Sequence, residues 1–240
     1  MKLADRLGQV LFSVCAGGLL LVAPSARLPA TEEKVDDLVH AALNLDAEPR
    51  RGAVLFQKQC RGCHGPKALG DPKRGIPSLA GQRQAYLIRQ LADFSQLDRD
   101  SKDMHGVVAQ AGVSDPQAWA DLAAYLNARP VARFPERGDG RNLKLGEGIF
   151  REQCSSCHET DARGDDDGFV PSLRNQNYSY LVTQMRALAD GHRRNVDENL
   201  LLFFGNLKAD EQEGLADYLS RLQGPVKNRL KMRDNGVVGD

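Results

Sequence analysis

Cys60-Arg61-Gly62-Cys63-His64 and Cys154-Ser155-Ser156-Cys157-His158 each place two thiols three residues apart and an imidazole directly after the second. This spacing suits covalent attachment of haem c. Two thiols on one tight turn can each form a thioether to a haem vinyl group. The adjacent His then lies under the ring and offers a nitrogen to the iron. Other chemistry uses C-x-x-C pairs. A four-thiolate zinc site built from both pairs would leave His64 and His158 unexplained, and a redox dithiol calls for a βαβ context that the sequence does not show. Two complete five-residue signatures therefore point to two covalently bound haem c groups, held by Cys60, Cys63 and His64 and by Cys154, Cys157 and His158.

The elements that must position these turns are themselves repeated. Gly52 and Phe56 precede the first motif, and Gly146 and Phe150 precede the second, 94 residues later. The same offset carries Pro77-Ser78-Leu79 onto Pro171-Ser172-Leu173 and Tyr86-Leu87 onto Tyr180-Leu181. It shortens by one after Val113 and Leu207, so that Leu122 to Leu126 matches Leu215 to Leu219. Self-similarity on this scale means two copies of one domain. Apolar residues at i, i+4 and i+7 (Leu87, Leu91, Phe94; Leu181, Met185, Leu188) predict a helix after each motif. Ser114-Asp115-Pro116-Gln117 predicts the start of a final helix with Trp119, Leu122 and Leu126 on its apolar face, with a capping box closed by Gln117. No strand pattern is visible, and the expected class is all-α. The expected units are residues 51–129 and 143–224, joined by a Pro- and Gly-containing linker at 130–142. A helical extension at 31–50 precedes them, with Val35, Leu38, Val39, Ala42 and Leu43 on one side and His40 at the surface. A tail at 225–240 follows.

Apolar residues make up 41% of the chain but aromatic residues only 6%. Two small domains of this composition have marginal cores, which a large apolar cofactor in each would complete. Four of the five Cys belong to the motifs, and the fifth, Cys15, lies in the apolar run Val10 to Ala23. That run follows Lys2 and Arg6 and is short for a bilayer span. Residues 1–30 therefore read as a signal peptide or an N-terminal anchor. Net charge is zero, yet residues 51–137 carry 13 basic and 8 acidic groups while residues 138–224 carry 10 and 15. The two halves form a charge dipole able to orient an approaching partner. Nothing in this pattern suggests nucleic acid.

Each half resembles a class I cytochrome c domain: a first helix with Gly and Phe, C-x-x-C-H, a Pro-containing loop and a last helix with an aromatic. The tandem pair resembles the dihaem cytochrome c4 family, notably in Pro77-Ser78-Leu79-Ala80-Gly81-Gln82 followed by Tyr86-Leu87 and Gln90-Leu91. The resemblance implies that the carbonyls of Pro77 and Pro171 orient the proximal imidazoles of His64 and His158. It also implies a Met before the last helix as distal ligand, a place that Met104 fits, with His105 as its rival. The second copy breaks the pattern. The offset carries Met104 onto Glu198, followed by Asn199; Met185 falls on a core face, Met232 in the tail, and His192 six residues too early. The second distal ligand therefore stays open among His192, Glu198, Asn199, Met232 and a vacant position. The resemblance further implies a periplasmic carrier of single electrons between a quinol-level donor and a terminal oxidase or other redox enzyme. Two rival readings are an oxidoreductase or sensor using an open second haem, acting on a sulfur compound or peroxide, and a tethered subunit of a membrane complex.

Overall fold

A computed structural model of the chain describes residues 29–224. The N-terminal apolar run, Met232 and the tail lie outside the described residues. Among the described residues there are eleven α-helices, and the last ten are arranged as two copies of one plan, each with its own core. In the first copy, α2 (Pro49–Leu55) continues through a wide turn at Phe56–Cys60 into the short α3 (Arg61–His64). There follow α4 (Gln84–Ser95), α5 (Lys102–Val108) and α6 (Pro116–Ala128). The second copy repeats the series as α7 (Leu143–Ile149), a wide turn at Phe150–Cys154, α8 (Ser155–His158), α9 (Tyr178–Ala189), α10 (Glu198–Asn206) and α11 (Ala209–Arg221). Among the described residues the only extended pairing consists of two isolated bridges, Asp71 with Ile76 and Asp165 with Val170.

The first and last helices of each copy cross where a glycine lets the backbones touch. A Cβ on Gly52 would lie 2.0 Å from the carbonyl oxygen of Asp121, and one on Gly146 would lie 2.0 Å from that of Gly214. One turn further on, Phe56 meets Tyr125 at 5.6 Å between ring centroids, and Phe150 meets Tyr218 at 5.7 Å. Both phenylalanines are fully buried. This crossing fixes the direction in which each chain enters its Cys-containing turn.

The helical extension, α1 (Pro29–Leu43), belongs to the first core. Val35, Val39 and Ala42 are buried against α4 and α6, while Leu43 is exposed. Full burial of each valine contributes roughly 1.5–3 kcal/mol. Asp36 pairs with Arg89 of α4 at 2.7 Å. The start of α6 differs from the expected capping box. Asp115, not Ser114, is the N-cap, accepting from the Gln117 and Ala118 amides, and the Gln117 side chain turns instead to Asp46 and Asp121. The carboxylate one residue ahead of the proline reaches both amides and displaces the hydroxyl.

Each copy ties its entering segment to its last helix with one aspartate. Asp121 accepts from the Glu48 amide at 2.7 Å and from two nitrogens of Arg51. Asp217 accepts from the amides of Gly138 and Gly140 and from Arg221. Burial works against the charge on Asp121, but Arg51, the Glu48 amide and Gln117 together hold its carboxyl below the ordinary range. A lowered folded pKa stabilises the fold above the unfolded value, and that stability is lost as pH falls through the folded pKa. Asp121→Asn is expected to flatten the acid limb of the stability–pH curve below about pH 4. Urea unfolding across that range measures it, and an unchanged slope would count against the assignment.

The two copies meet through residues that stand in for one another. Gln82 donates to the Ser172 carbonyl at 2.9 Å and accepts from the Ser172 amide at 2.7 Å. Gln176, 94 residues on, makes the same pair of bonds to Ser78 at 2.9 and 2.8 Å. Arg99 reaches across to Tyr180 and Gln184, and Arg193 reaches back to Tyr86 and Gln90. The correspondence fails at Asp93, which is fully buried, accepts from Arg89, Gln90 and Asn195, and has only an alanine as its counterpart. Gln176→Ala leaves the buried Ser78 amide and carbonyl unpaired. The expected cost is about 1–3 kcal/mol, read as a lower denaturation midpoint with both haems retained. A midpoint equal to the parent's would show that water replaces both bonds without cost.

Candidate haem sites

Each Cys-containing turn is wound wider than an α-helix. The Arg61 amide bonds back five residues to Phe56, and the Ser155 amide does the same to Phe150. Such an insertion re-aims the side chains that follow it. Cys60 and Cys154 become half-buried, each packed against its own core, while Cys63 and Cys157 are exposed. The two thiol pairs thus belong to different cores and do not converge on one metal. Among the described residues no cluster of His, Cys, Asp and Glu is arranged to hold a bare ion. Burial pushes the Cys60 and Cys154 thiols up to about 11, with their partner thiols adding to the effect. A reactive redox dithiol needs the opposite shift.

The chain leaves each turn through a residue of positive φ, Gly65 at φ +73° and Glu159 at φ +67°. It then folds into a tight loop. The Gly70 and Gly164 amides bond to the His64 and His158 carbonyls, both at 3.0 Å. These glycines have φ of +76° and +67°, and a Cβ on either would strike the backbone of Ile76-Pro77 or Val170-Pro171. The buried Ala68 and Ala162 carbonyls accept from Leu79 and Leu173 and close the loop from inside.

The loop thereby delivers one carbonyl to each imidazole. His64 Nδ1 lies 3.1 Å from the Pro77 oxygen, and His158 Nδ1 lies 3.0 Å from that of Pro171. Because a carbonyl only accepts, Nδ1 must carry the proton. Burial holds both imidazoles below their ordinary value, partly opposed by these bonds, so each ring is neutral at pH 7. A neutral ring protonated on Nδ1 presents the lone pair of Nε2, the state an iron ligand needs. Two thiols and an imidazole so arranged fit haem c in both copies.

Met104 is half-buried against the first core on α5, where its amide donates to the N-cap Ser101. The adjacent His105 turns its Nδ1 to the Phe94 carbonyl at 3.0 Å. In the second copy His192, Glu198 and Asn199 are all exposed, and Met185 is buried in the core. The interdomain role of Gln82, Gln176, Arg99 and Arg193 is not legible from local sequence. Their common offset of 94 was the signal that could have found them.

The family model described as Cytochrome c matches the chain twice, at residues 49–129 and 143–223. Over 204 residues the chain is 28% identical to cytochrome c4 of Stutzerimonas stutzeri, covering 78% of this chain and 93% of that protein. It is 30% identical over 181 residues to the thiosulfate dehydrogenase electron acceptor of Stutzerimonas stutzeri (strain A1501), covering 71% and 82%. The crystal structure of reduced recombinant cytochrome c4 from Pseudomonas stutzeri superposes with a TM-score of 0.65 at 24% identity. It covers 74% of this chain and all of that one, and shows the shared fold. With two C-x-x-C-H turns, each holding a neutral imidazole in place, the chain belongs to the cytochrome c family as a two-haem electron carrier of the cytochrome c4 kind.

Proposed function

We propose that the protein is a periplasmic carrier that accepts single electrons from a quinol-oxidising complex and delivers them to a terminal oxidase or another redox enzyme. The observation that carries this reading is the interface: two haem-bearing cores are locked together by reciprocal bonds. A rigid, fixed separation between two redox centres suits passage of an electron from one to the other. The haems supply the electron chemistry. Cys60, Cys63, Cys154 and Cys157 would anchor them, His64 and His158 would ligate through Nε2, and Pro77 and Pro171 hold the ring orientation. Met104 would supply a thioether to the first haem, a ligand type that stabilises ferrous iron and raises the potential.

The units are residues 51–129 and 143–224, exported by residues 1–30 as a cleaved signal or held at the membrane by them. Among the described residues no helix is long and apolar enough to cross a membrane. Similarity to the thiosulfate dehydrogenase electron acceptor favours a second donor class, an enzyme oxidising a sulfur compound. Stopped-flow mixing with each donor separates the two. Reduction of both haems by a purified quinol-oxidising complex, followed by reoxidation by a terminal oxidase, is the expected result. Reduction by a thiosulfate dehydrogenase alone would assign the other donor, and reduction by neither would overturn the carrier reading.

A further inference from the structure

We infer that the second haem iron has no protein side chain on its distal side and that this open position takes a small neutral diatomic gas, of the class of carbon monoxide and nitric oxide. The helices that occupy the distal place in the two copies can be aligned by their caps. α5 starts at the N-cap Ser101 and packs on α4; α10 starts at the N-cap Asp197 and packs on α9. Met104 is the third residue after its cap, and the third residue after Asp197 is Leu200. This structural register differs by two residues from the offset of 94, which lands on Glu198. Under either register the position holds no sulfur or nitrogen ligand.

Among the described residues, the remaining candidates in the second copy are either engaged elsewhere or turned to solvent. Haem iron in proteins takes His, Met, Cys or Tyr. Met185 is buried on α9 within the second core. Tyr180 accepts from Arg99 at the domain boundary, and Tyr218 packs on Phe150. Tyr178 is buried enough to raise its pKa, and its charged neighbours are Glu213 and Asp217 of α11, Asp139 of the linker and Arg186 of α9. His192 is exposed, and the next residue is pinned: the Arg193 amide bonds to Ala187 and its side chain to Gln184 and Tyr86.

The chemistry of α10 selects the ligand. From Leu200 to Phe204 it offers only hydrocarbon: three leucines and two phenylalanines, with Leu202 60% exposed. Such a run supplies no donor to steady a polar or charged adduct and no acid to protonate a leaving oxygen, and the polar Glu198 and Asn199 stand exposed to solvent at the start of the helix. Peroxide turnover is therefore disfavoured, while a neutral diatomic needs neither group.

The test is a carbon monoxide titration of the fully loaded ferrous protein, followed in the Soret band. The expected uptake is one equivalent per two haems, accompanied by a high-spin fraction of about half in the ferric resonance Raman spectrum. Leu200→Met should abolish that uptake and add a second thioether-to-iron absorption band. Met104→Ala should raise uptake to both haems, which identifies the first haem as the closed one independently of the second. His192→Ala and Met232→Ala should leave uptake at half. No uptake by the parent protein would overturn the inference, as would an unaltered half-uptake in Leu200→Met.

Discussion

Replacing Met104 with alanine is expected to lower one of the two midpoint potentials by on the order of 100 mV while the other stays in place. The thioether favours ferrous iron because sulfur is soft and uncharged. Without it, water or hydroxide takes the site and favours the ferric state. Axial-ligand identity shifts haem potentials across about 0.8 V, so a shift of this size is well inside what one ligand can do. Met104 also packs against the first core, and its truncation should cost about 2 kcal/mol in unfolding. His105→Ala separates ligation from packing. With Met104 as the ligand, loss of His105 and of its Nδ1 bond to the Phe94 carbonyl should cost about 1 kcal/mol and leave both potentials unmoved. Spectroelectrochemical titration of the two variants decides the matter. A potential that follows His105 and ignores Met104 would reverse the assignment.

Gly52→Val is expected to destabilise the first core by at least ~3 kcal/mol, with the unfolding of the second core little changed. The new Cβ would overlap the Asp121 carbonyl, which is backbone inside α6 and cannot rotate away. Relief requires α2 and α6 to separate. That would loosen the Phe56–Tyr125 contact and the turn carrying Cys60, Cys63 and His64. Gly146→Val should do the same in the second copy, against Gly214. Gly148→Ala is the control. It sits on the same helix as Gly146 with nothing within 4 Å of its would-be Cβ, and alanine there should be neutral or stabilising by about 0.5–1 kcal/mol. Denaturant unfolding followed in the Soret band and in near-ultraviolet circular dichroism reads both. Equal stability of Gly52→Val and Gly148→Ala would show that the crossing has more room than its geometry indicates.

The turns, the paired prolines and the Gly/Phe entrance to each core were legible in the sequence because local spacing and a long repeat encode them. The crossing at Gly52 and Gly146 could be read as a repeated feature, though not as a contact with Asp121 and Gly214, which lie some seventy residues away in the chain. The same distance hid the domain boundary. Gln82, Gln176, Arg99 and Arg193 are ordinary polar residues until the fold brings each opposite its counterpart's neighbour. The helical extension at 31–50 read as an appendage, yet Val35 and Val39 complete the first core, since an amphipathic face does not say what it packs on. The register of α10 is not set by the repeat alone, for a related reason. A constant offset assumes equal loops, whereas the caps Ser101 and Asp197 lie 96 residues apart, so that counting from the caps aligns Leu200 with Met104.

A boundary at which Ser78 meets Gln176 and Ser172 meets Gln82 is isologous: each face carries both halves of the contact. Two identical single-haem units would build the same four bonds on pairing about a dyad. The tether at 130–142 converts that dilution-sensitive pairing into one held at millimolar effective concentration. Fusion into one chain also frees the two halves to diverge. Asp93 on one side of the dyad and Leu200 on the other are changes that a true homodimer could not make singly.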